Sequence, residues 1–343
     1  MRVLQIAPPW FPVPPTGYGG IEWIVSSLAD GLVDAGHETT LFAPGGSQTS
    51  AKLEAYYDQP PSMHVGDPWF EAPHALAAYA QRDRFDVIHD HLGAVGPAIA
   101  AARPGGPPVV HTLHGSWTTA NQHLYREVSD HVHLVAISQD QASRAPDGIE
   151  VNSVVHNGVP LDRYPYREQK EDFLLFVGRA TADKGPEVAI DVAKRAGLPL
   201  VMAIKIAEPL EIEYYETMMA PAMIGADVDI RTDVGHDEKV DLMGRARAIV
   251  VPIRWDEPFG LVMAEAMACG TPAIAYARGA APELIVDGRT GSLVRPGDLP
   301  GLVDAVVEVD RLDPADCRAH VESKLSATRM VERYLDVYAT LAG

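Results

Sequence analysis

The chain has 343 residues, 47% of them hydrophobic and 22% charged, with a formal net charge of −19. At ~100–200 residues per domain, this length accommodates two α/β domains. The acidic balance argues against a nucleic-acid binder, whose field is positive, and against loose attachment to anionic lipid; cations that hold an anionic substrate would have to be local and well placed.

Taken in chain order, strand-like apolar runs alternate with amphipathic segments. Val3–Ala7 reads as a strand, in an N-terminus (MRVLQIAPPW) broken too early by proline for a signal peptide. Gly20–Ala35 has helical periodicity through Ile21, Ile24, Val25, Leu28 and Leu32, with Gly36 as its stop. Strands are predicted at Thr39–Ala43, Asp86–His89, Pro108–Thr112, His133–Ile137 and Val151–His156, the βαβ pattern of an open parallel sheet. Residues 157–172, NGVPLDRYPYREQKED, carry Asn-Gly, two prolines and a charge cluster that suit neither strand nor helix. The domain boundary is placed there, giving 1–160 and 161–325.

A second series of strands follows at Phe173–Val177, Leu200–Ile204, Val228–Arg231, Ala248–Pro252, Ala273–Tyr276 and Gly291–Val294. Two amphipathic helices end the chain, Pro314–Leu325 and Thr328–Leu341. The fold class expected is α/β, two Rossmann-like doubly wound domains facing each other across a cleft, with ligands outside the carboxyl ends of the strands. Cys269 and Cys317 make no disulfide framework, so a reducing, cytoplasmic setting is expected. No apolar run approaches the ~18–20 residues that span a bilayer.

Three segments carry chemistry. After the first strand, PPWFPVPPTGYGGIEW is too long and proline-rich for a dinucleotide fingerprint. Gly17, Gly19 and Gly20 would let the backbone approach an anion at the helix N-terminus, or form a plain surface loop. After Phe173–Val177, the connection carries Arg179 and Lys184: Arg forks onto phosphate oxygens and Lys adds a point charge. The bland alternative is a solvated loop neutralised by Asp183 and Glu187. After Ala248–Pro252 comes IRWDEPFGLVMAEAMACGTP. Pro258 and Gly260 delay a helix to Gly260 or Leu261. That helix is apolar nearly all round, so its single charge, Glu265, is buried and needs donors. A pair of ribose hydroxyls or a structural Arg or backbone groups would serve.

The run Glu257-Pro-Phe-Gly-Leu-Val-Met-Ala-Glu265 resembles the E-x7-E motif of retaining glycosyltransferases of family 4, which have the GT-B fold. Gly19-Gly20-Ile-Glu, His111-Thr-Leu-His114-Gly, His156-Asn-Gly-Val159, Phe176-Val-Gly-Arg179 with Lys184-Gly185, and Glu283–Val294 extend the resemblance over most of the chain. It implies that Gly19 and Gly20 lie at the donor phosphates and that Arg179 and Lys184 bind the diphosphate. It gives Glu257 and the backbone of Phe259, Gly260 and Leu261 to donor-sugar hydroxyls, Glu265 to the ribose, and His114 to the neighbourhood of the donor sugar. The last helix, in 326–343, would join the first domain, which would read the acceptor. Arg278-Gly-Ala-Ala281 departs from the Gly-Gly frequent in the family.

The implied activity is retaining, metal-independent transfer of a hexosyl group from a nucleotide-sugar to a hydroxyl acceptor, a small molecule or a saccharide. UDP-glucose is the first expectation for the donor and GDP-mannose the second. No cofactor, metal, nucleic acid or inserted membrane is expected. A sugar-nucleotide 2-epimerase and a non-catalytic sugar-nucleotide binder are the alternatives on the same fold. Asp227-Val-Asp229, in a strand, is not read as a metal site. His89-Asp90-His91 is expected to line the acceptor side, since adjacent strand residues diverge, and His111 to be structural.

Overall fold

The computed structural model describes residues 1–17 and 19–342. Tyr18 of the glycine loop and the last residue of 326–343 lie outside the described residues. The chain divides into two units, Met1–Gly158 with the segment from Ala327, and Val159–Ser326.

Among the described residues, the first unit holds seven parallel strands: β1 (Arg2–Ile6), β2 (Glu38–Phe42), β3 (Lys52–Glu54), β4 (Val87–Asp90), β5 (Val109–Leu113), β6 (His133–Ala136) and β7 (Ser153–Val154), in the order β3-β2-β1-β4-β5-β6-β7. The second holds six: β8 (Leu174–Arg179), β9 (Leu200–Lys205), β10 (Val228–Arg231), β11 (Ala248–Val251), β12 (Ala273–Tyr276) and β13 (Gly291–Val294), in the order β10-β9-β8-β11-β12-β13. All ladders are parallel, and the apolar residues of the inner strands are buried because helices cover both faces, whereas Leu53 on the edge strand β3 is exposed.

Each order reverses once, between β1 and β4 and between β8 and β11. At such a switch point the flanking connections diverge to opposite faces and leave a crevice beyond the strand ends. The glycine loop follows β1 and His91 follows β4. Lys184 follows β8 and Glu257 follows β11. Topology thus brings each pair of segments to one place in its own sheet.

The predicted strands lie within a few residues of those observed, the largest contraction being Val151–His156 to Ser153–Val154. The edge strand β3 has no apolar alternation, so the sequence predicts no strand there; its Lys52 and Glu54 are charges that blunt an edge. In 157–172, read as irregular, one turn of 3₁₀ helix forms at Leu161–Arg163. The final helix, Ala327–Ala342, buries Met330, Val331, Tyr334 and Tyr338 in the first unit. Both cysteines are buried and free. Among the described residues, no helix is long and apolar enough to cross a membrane.

Candidate active site

In the second unit, β8 runs through Arg179, so this arginine ends the strand and only Lys184 lies on the connection. Gly185 has φ 64°, and a Cβ there would stand 2.6 Å from the carbonyl oxygen of Pro252. The turn after Lys184 therefore presses on the end of β11, and the Arg254 N–H donates to the Asp183 carbonyl (2.8 Å). This contact sets the Lys184 ammonium on the Glu257 carboxylate. The Trp255 indole N–H donates to the same Glu257 oxygen at 2.8 Å, and the ammonium lies 5.0 Å from the Trp255 ring centroid.

Glu257 is held from below as well. Gly279 has φ 57°, and a Cβ there would come within 2.6 Å of the Glu257 backbone N and O. The Ala280 N–H donates to the Glu257 carbonyl (3.0 Å). The departure from Gly-Gly in 278–281 thus keeps the one glycine that the approach requires. Beyond Pro258-Phe259, Gly260 at φ 84° turns the chain into the helix Leu261–Ala268. Among the described residues no side chain caps that helix, so its N-terminal amides keep donor capacity beside Glu257.

Glu265 is 2% exposed. Tyr164 Oη donates to it at 2.5 Å, and the Lys239 ammonium spans both carboxylate oxygens at 2.9 and 3.0 Å. Its partners are therefore a lysine and a tyrosine rather than an arginine or backbone. Burial, then the Glu265 charge, pushes the Tyr164 phenol far up, so it remains a donor. Arg179 is matched by Glu211 (2.6 Å) and Glu208 (3.2 Å), not by Asp183 and Glu187. Glu211 is fully buried and pinned by the N–H groups of Ala207 (2.9 Å) and Glu208 (3.0 Å). Glu187 is taken by Arg254 (2.5 Å) and Tyr214 Oη (2.7 Å). A cavity of about 280 Å³ near the Glu257 loop is lined by Tyr276, Arg254 and Arg278, the arginines paired with Glu187 and Asp256.

In the first unit, Gly19 (φ 154°) precedes the helix Gly20–Asp34. A Cβ on Gly19 would meet Glu22 and Pro15 at 2.8 Å, whereas one on Gly20 would meet nothing. Packing among the described residues therefore sets no requirement for glycine at position 20. Glu22 is buried in the first turn, and desolvation pushes its carboxyl up to about 7 against its own backbone N–H.

His114 follows β5 and is partly exposed; its Nε2 lies 2.9 Å from His91 Nδ1. His89, Asp90 and His91 are all buried, so they do not line an open face. Asp90 accepts from Tyr79 Oη (2.5 Å) and the Leu92 N–H (2.7 Å). His111 is structural in its bonding, with Tyr125 Oη at 3.0 Å and Asp90 at 3.4 Å. Asp227 precedes β10, and Asp229 pairs with Arg231 (2.8 Å). Among the described residues, no group of acidic, His or Cys side chains could hold a metal.

Sequence reasoning missed Tyr164, Lys239, Glu211 and Trp255. Tyr164 sat in the stretch read as linker, and Lys239 in a charged helix without a motif. Glu208 and Glu211 form a capping box, a signal available at E-x-x-E. Trp255 lies two residues before Glu257.

Two parallel-sheet α/β units, each carrying charged and glycine-rich segments at its switch point, have the architecture of GT-B glycosyltransferases. Solved structures agree in fold. Sucrose-phosphate synthase from Thermosynechococcus elongatus matches with a TM-score of 0.82 at 18% identity, covering 99% of each chain. Anabaena HepE in complex with UDP-glucose matches with a TM-score of 0.76 at 17% identity, covering 99% of this chain and 100% of that one. Among relatives by sequence, the glycogen synthase of Mycobacterium tuberculosis is 27% identical, over 90% of this chain and 86% of that enzyme. Two family models match consecutive stretches: Glycosyltransferase Family 4 over residues 18–163 and Glycosyl transferases group 1 over residues 162–315. The chain belongs to this glycosyltransferase family.

Proposed function

We propose that the chain is a retaining, metal-independent, cytoplasmic hexosyltransferase that takes its sugar from UDP-glucose, with GDP-mannose as second choice, and delivers it to a hydroxyl acceptor. The observation that carries this reading is the Lys184–Glu257 pair at the β8/β11 switch point, beside the uncapped N-terminus of the helix Leu261–Ala268. Breaking the anomeric bond puts positive charge on the sugar and negative charge on the departing diphosphate. Lys184, Arg179 and the helix N-terminal amides supply fixed positive potential where the second charge develops. Glu257 orients sugar hydroxyls: its bonds to Lys184 and Trp255 leave it an anchored acceptor rather than a free nucleophile. Glu265 is assigned to the ribose, whose hydroxyls would share the carboxylate with Lys239. In the first unit, the open backbone at Gly20 is assigned to phosphate and His114 to a sugar hydroxyl. The UDP-glucose bound by Anabaena HepE supports the choice of donor.

The test is turnover of UDP-glucose by purified Arg179→Ala and Lys184→Ala variants; near wild-type rates in both would sink the assignment. Glu265→Gln is expected to weaken nucleotide binding, read by thermal shift against UDP, GDP, ADP and their sugars. Unchanged affinity would make Glu265 purely structural.

A further inference from the structure

Strand alternation sorts the buried polar residues of the first unit into two sets. Asp90 and His111 are register partners and share one face with Tyr79 and Tyr125. On the other, Gln5 and His89 are register partners and join Thr112, His91 and His114 with Tyr334 and Tyr338 of the last helix. This second set is one continuous chain of hydrogen bonds. Tyr334 Oη lies 2.8 Å from Thr112 Oγ1, which lies 2.7 Å from His89 Nε2. His89 Nδ1 lies 2.6 Å from Tyr338 Oη, which accepts from Gln5 Nε2 at 3.0 Å. Gln5 Oε1 lies 2.8 Å from His91 Nε2, and His91 Nδ1 lies 2.9 Å from His114 Nε2.

We propose that Gln5 and His91 are positioning residues that hold His114 as its Nε2–H tautomer, leaving its Nδ1 lone pair as the hydrogen-bond acceptor for a sugar hydroxyl. The Gln5 amide decides the direction. Its nitrogen donates to Tyr338 Oη at 3.0 Å and lies 3.4 Å from His89 Nδ1. Its oxygen faces one ring nitrogen, His91 Nε2. A carbonyl oxygen only accepts, so His91 carries its hydrogen on Nε2. Burial holds the His91 imidazole well below its usual range, so it has one ring proton and a bare Nδ1. That nitrogen accepts from His114 Nε2–H. Burial, then His111, pushes His114 down to about 3, so His114 is neutral too, and its Nδ1 is a lone pair. Among the described residues nothing bonds to that nitrogen, and His114 is partly exposed.

The consequence for turnover rests on the transferase reading above; the tautomer does not. Long-range ¹H–¹⁵N correlation on the wild-type chain with ¹⁵N-histidine, assigned with His114→Asn, is expected to show His114 protonated at Nε2 only. Protonation at Nδ1, or exchange between the two, overturns the inference. UDP-glucose hydrolysis then tests the role. His91→Leu is expected to free the tautomer and lower kcat about tenfold, with UDP affinity unchanged. His91→Gln, whose amide oxygen accepts the same N–H, is expected to keep the tautomer and most of kcat. Wild-type kcat in His91→Leu, or equal losses in both variants, would remove the positioning role. A wild-type chain inert toward every nucleotide-sugar would count against the transferase reading, with the NMR still deciding the tautomer.

Discussion

The two units solve the problem of buried polarity in opposite ways. In the second, the candidate-site carboxylates meet cations: Glu257 with Lys184, Glu265 with Lys239, Glu211 with Arg179. In the first, neutral imidazoles, phenols and an amide pass hydrogen bonds along a buried chain. An ionic site stores charge that an incoming anion can recruit, because Lys184 and Arg179 each hold a countercharge that a diphosphate would share or displace. A neutral chain stores orientation: it gains little from an anion but fixes where each proton lies.

The largest effect that would break this contrast is on turnover. Lys184→Ala is expected to lower kcat/KM for UDP-glucose by roughly a hundredfold or more, as loss of a preorganised charge at a leaving group does. A loss that small-molecule amines restored would sharpen it, since only the charge would be missing. Next is stability. Lys239→Ala leaves the Glu265 carboxylate buried with Tyr164 alone, and a cost of about 3 kcal/mol is expected from urea unfolding. If Lys239→Ala proved neutral, the second unit would not depend on charge pairing.

The third effect is pH dependence, carried most strongly by the buried histidines of the first unit, with His236 and His320 of the second lowered in the same sense. Burial pushes His74 down to about 4 and His114 to about 3, and holds His89 and His91 well below their usual range. Unfolded histidines titrate near 6.5. Between these values the unfolded histidines bind more protons, so their contribution to stability is full above pH ~6.5 and falls as pH drops toward 3, whereas the raised carboxyls of Glu22 and Glu71 act in the opposite sense. Every tryptophan except Trp255 lies in the first unit, so Trp255→Phe confines fluorescence to it. With Glu22→Gln added to remove the opposing carboxyl, urea midpoints that stayed flat from pH 7 to about pH 4 would contradict the buried neutral histidines. The smallest expected effect is that of Gly279→Ala. Its Cβ would push on the Glu257 backbone at a cost of about 1–3 kcal/mol. KM for the donor is expected to rise more than stability falls, and an unchanged KM would detach Glu257 from the sugar.

Much of the fold was legible because it is written in contiguous residues. Apolar runs such as Ala273–Tyr276 and the glycine entering the helix at Leu261 mark elements locally. The same holds for the segments that meet at each switch point, since a parallel βαβ order places strand-end loops together once the strand sequence is known. Glu265 was identifiable as a charge in need of partners because its helix is otherwise apolar. Its partners were not, because Tyr164 is 101 residues away and Lys239 is 26. No local pattern marks either one. Arg179 shows the converse: Asp183 and Glu187 are nearer in sequence, yet the strand end aims the guanidinium at Glu211, 32 residues on.

The sequence by itself thus determined the two parallel sheets, the helix after Glu257 and the requirement that Glu265 be neutralised, since each follows from periodicity and from the cost of burying a charge. Only the tertiary structure decided which cation meets which carboxylate and which face of the sheet carries the histidine chain, because those depend on distances between residues that share no local segment.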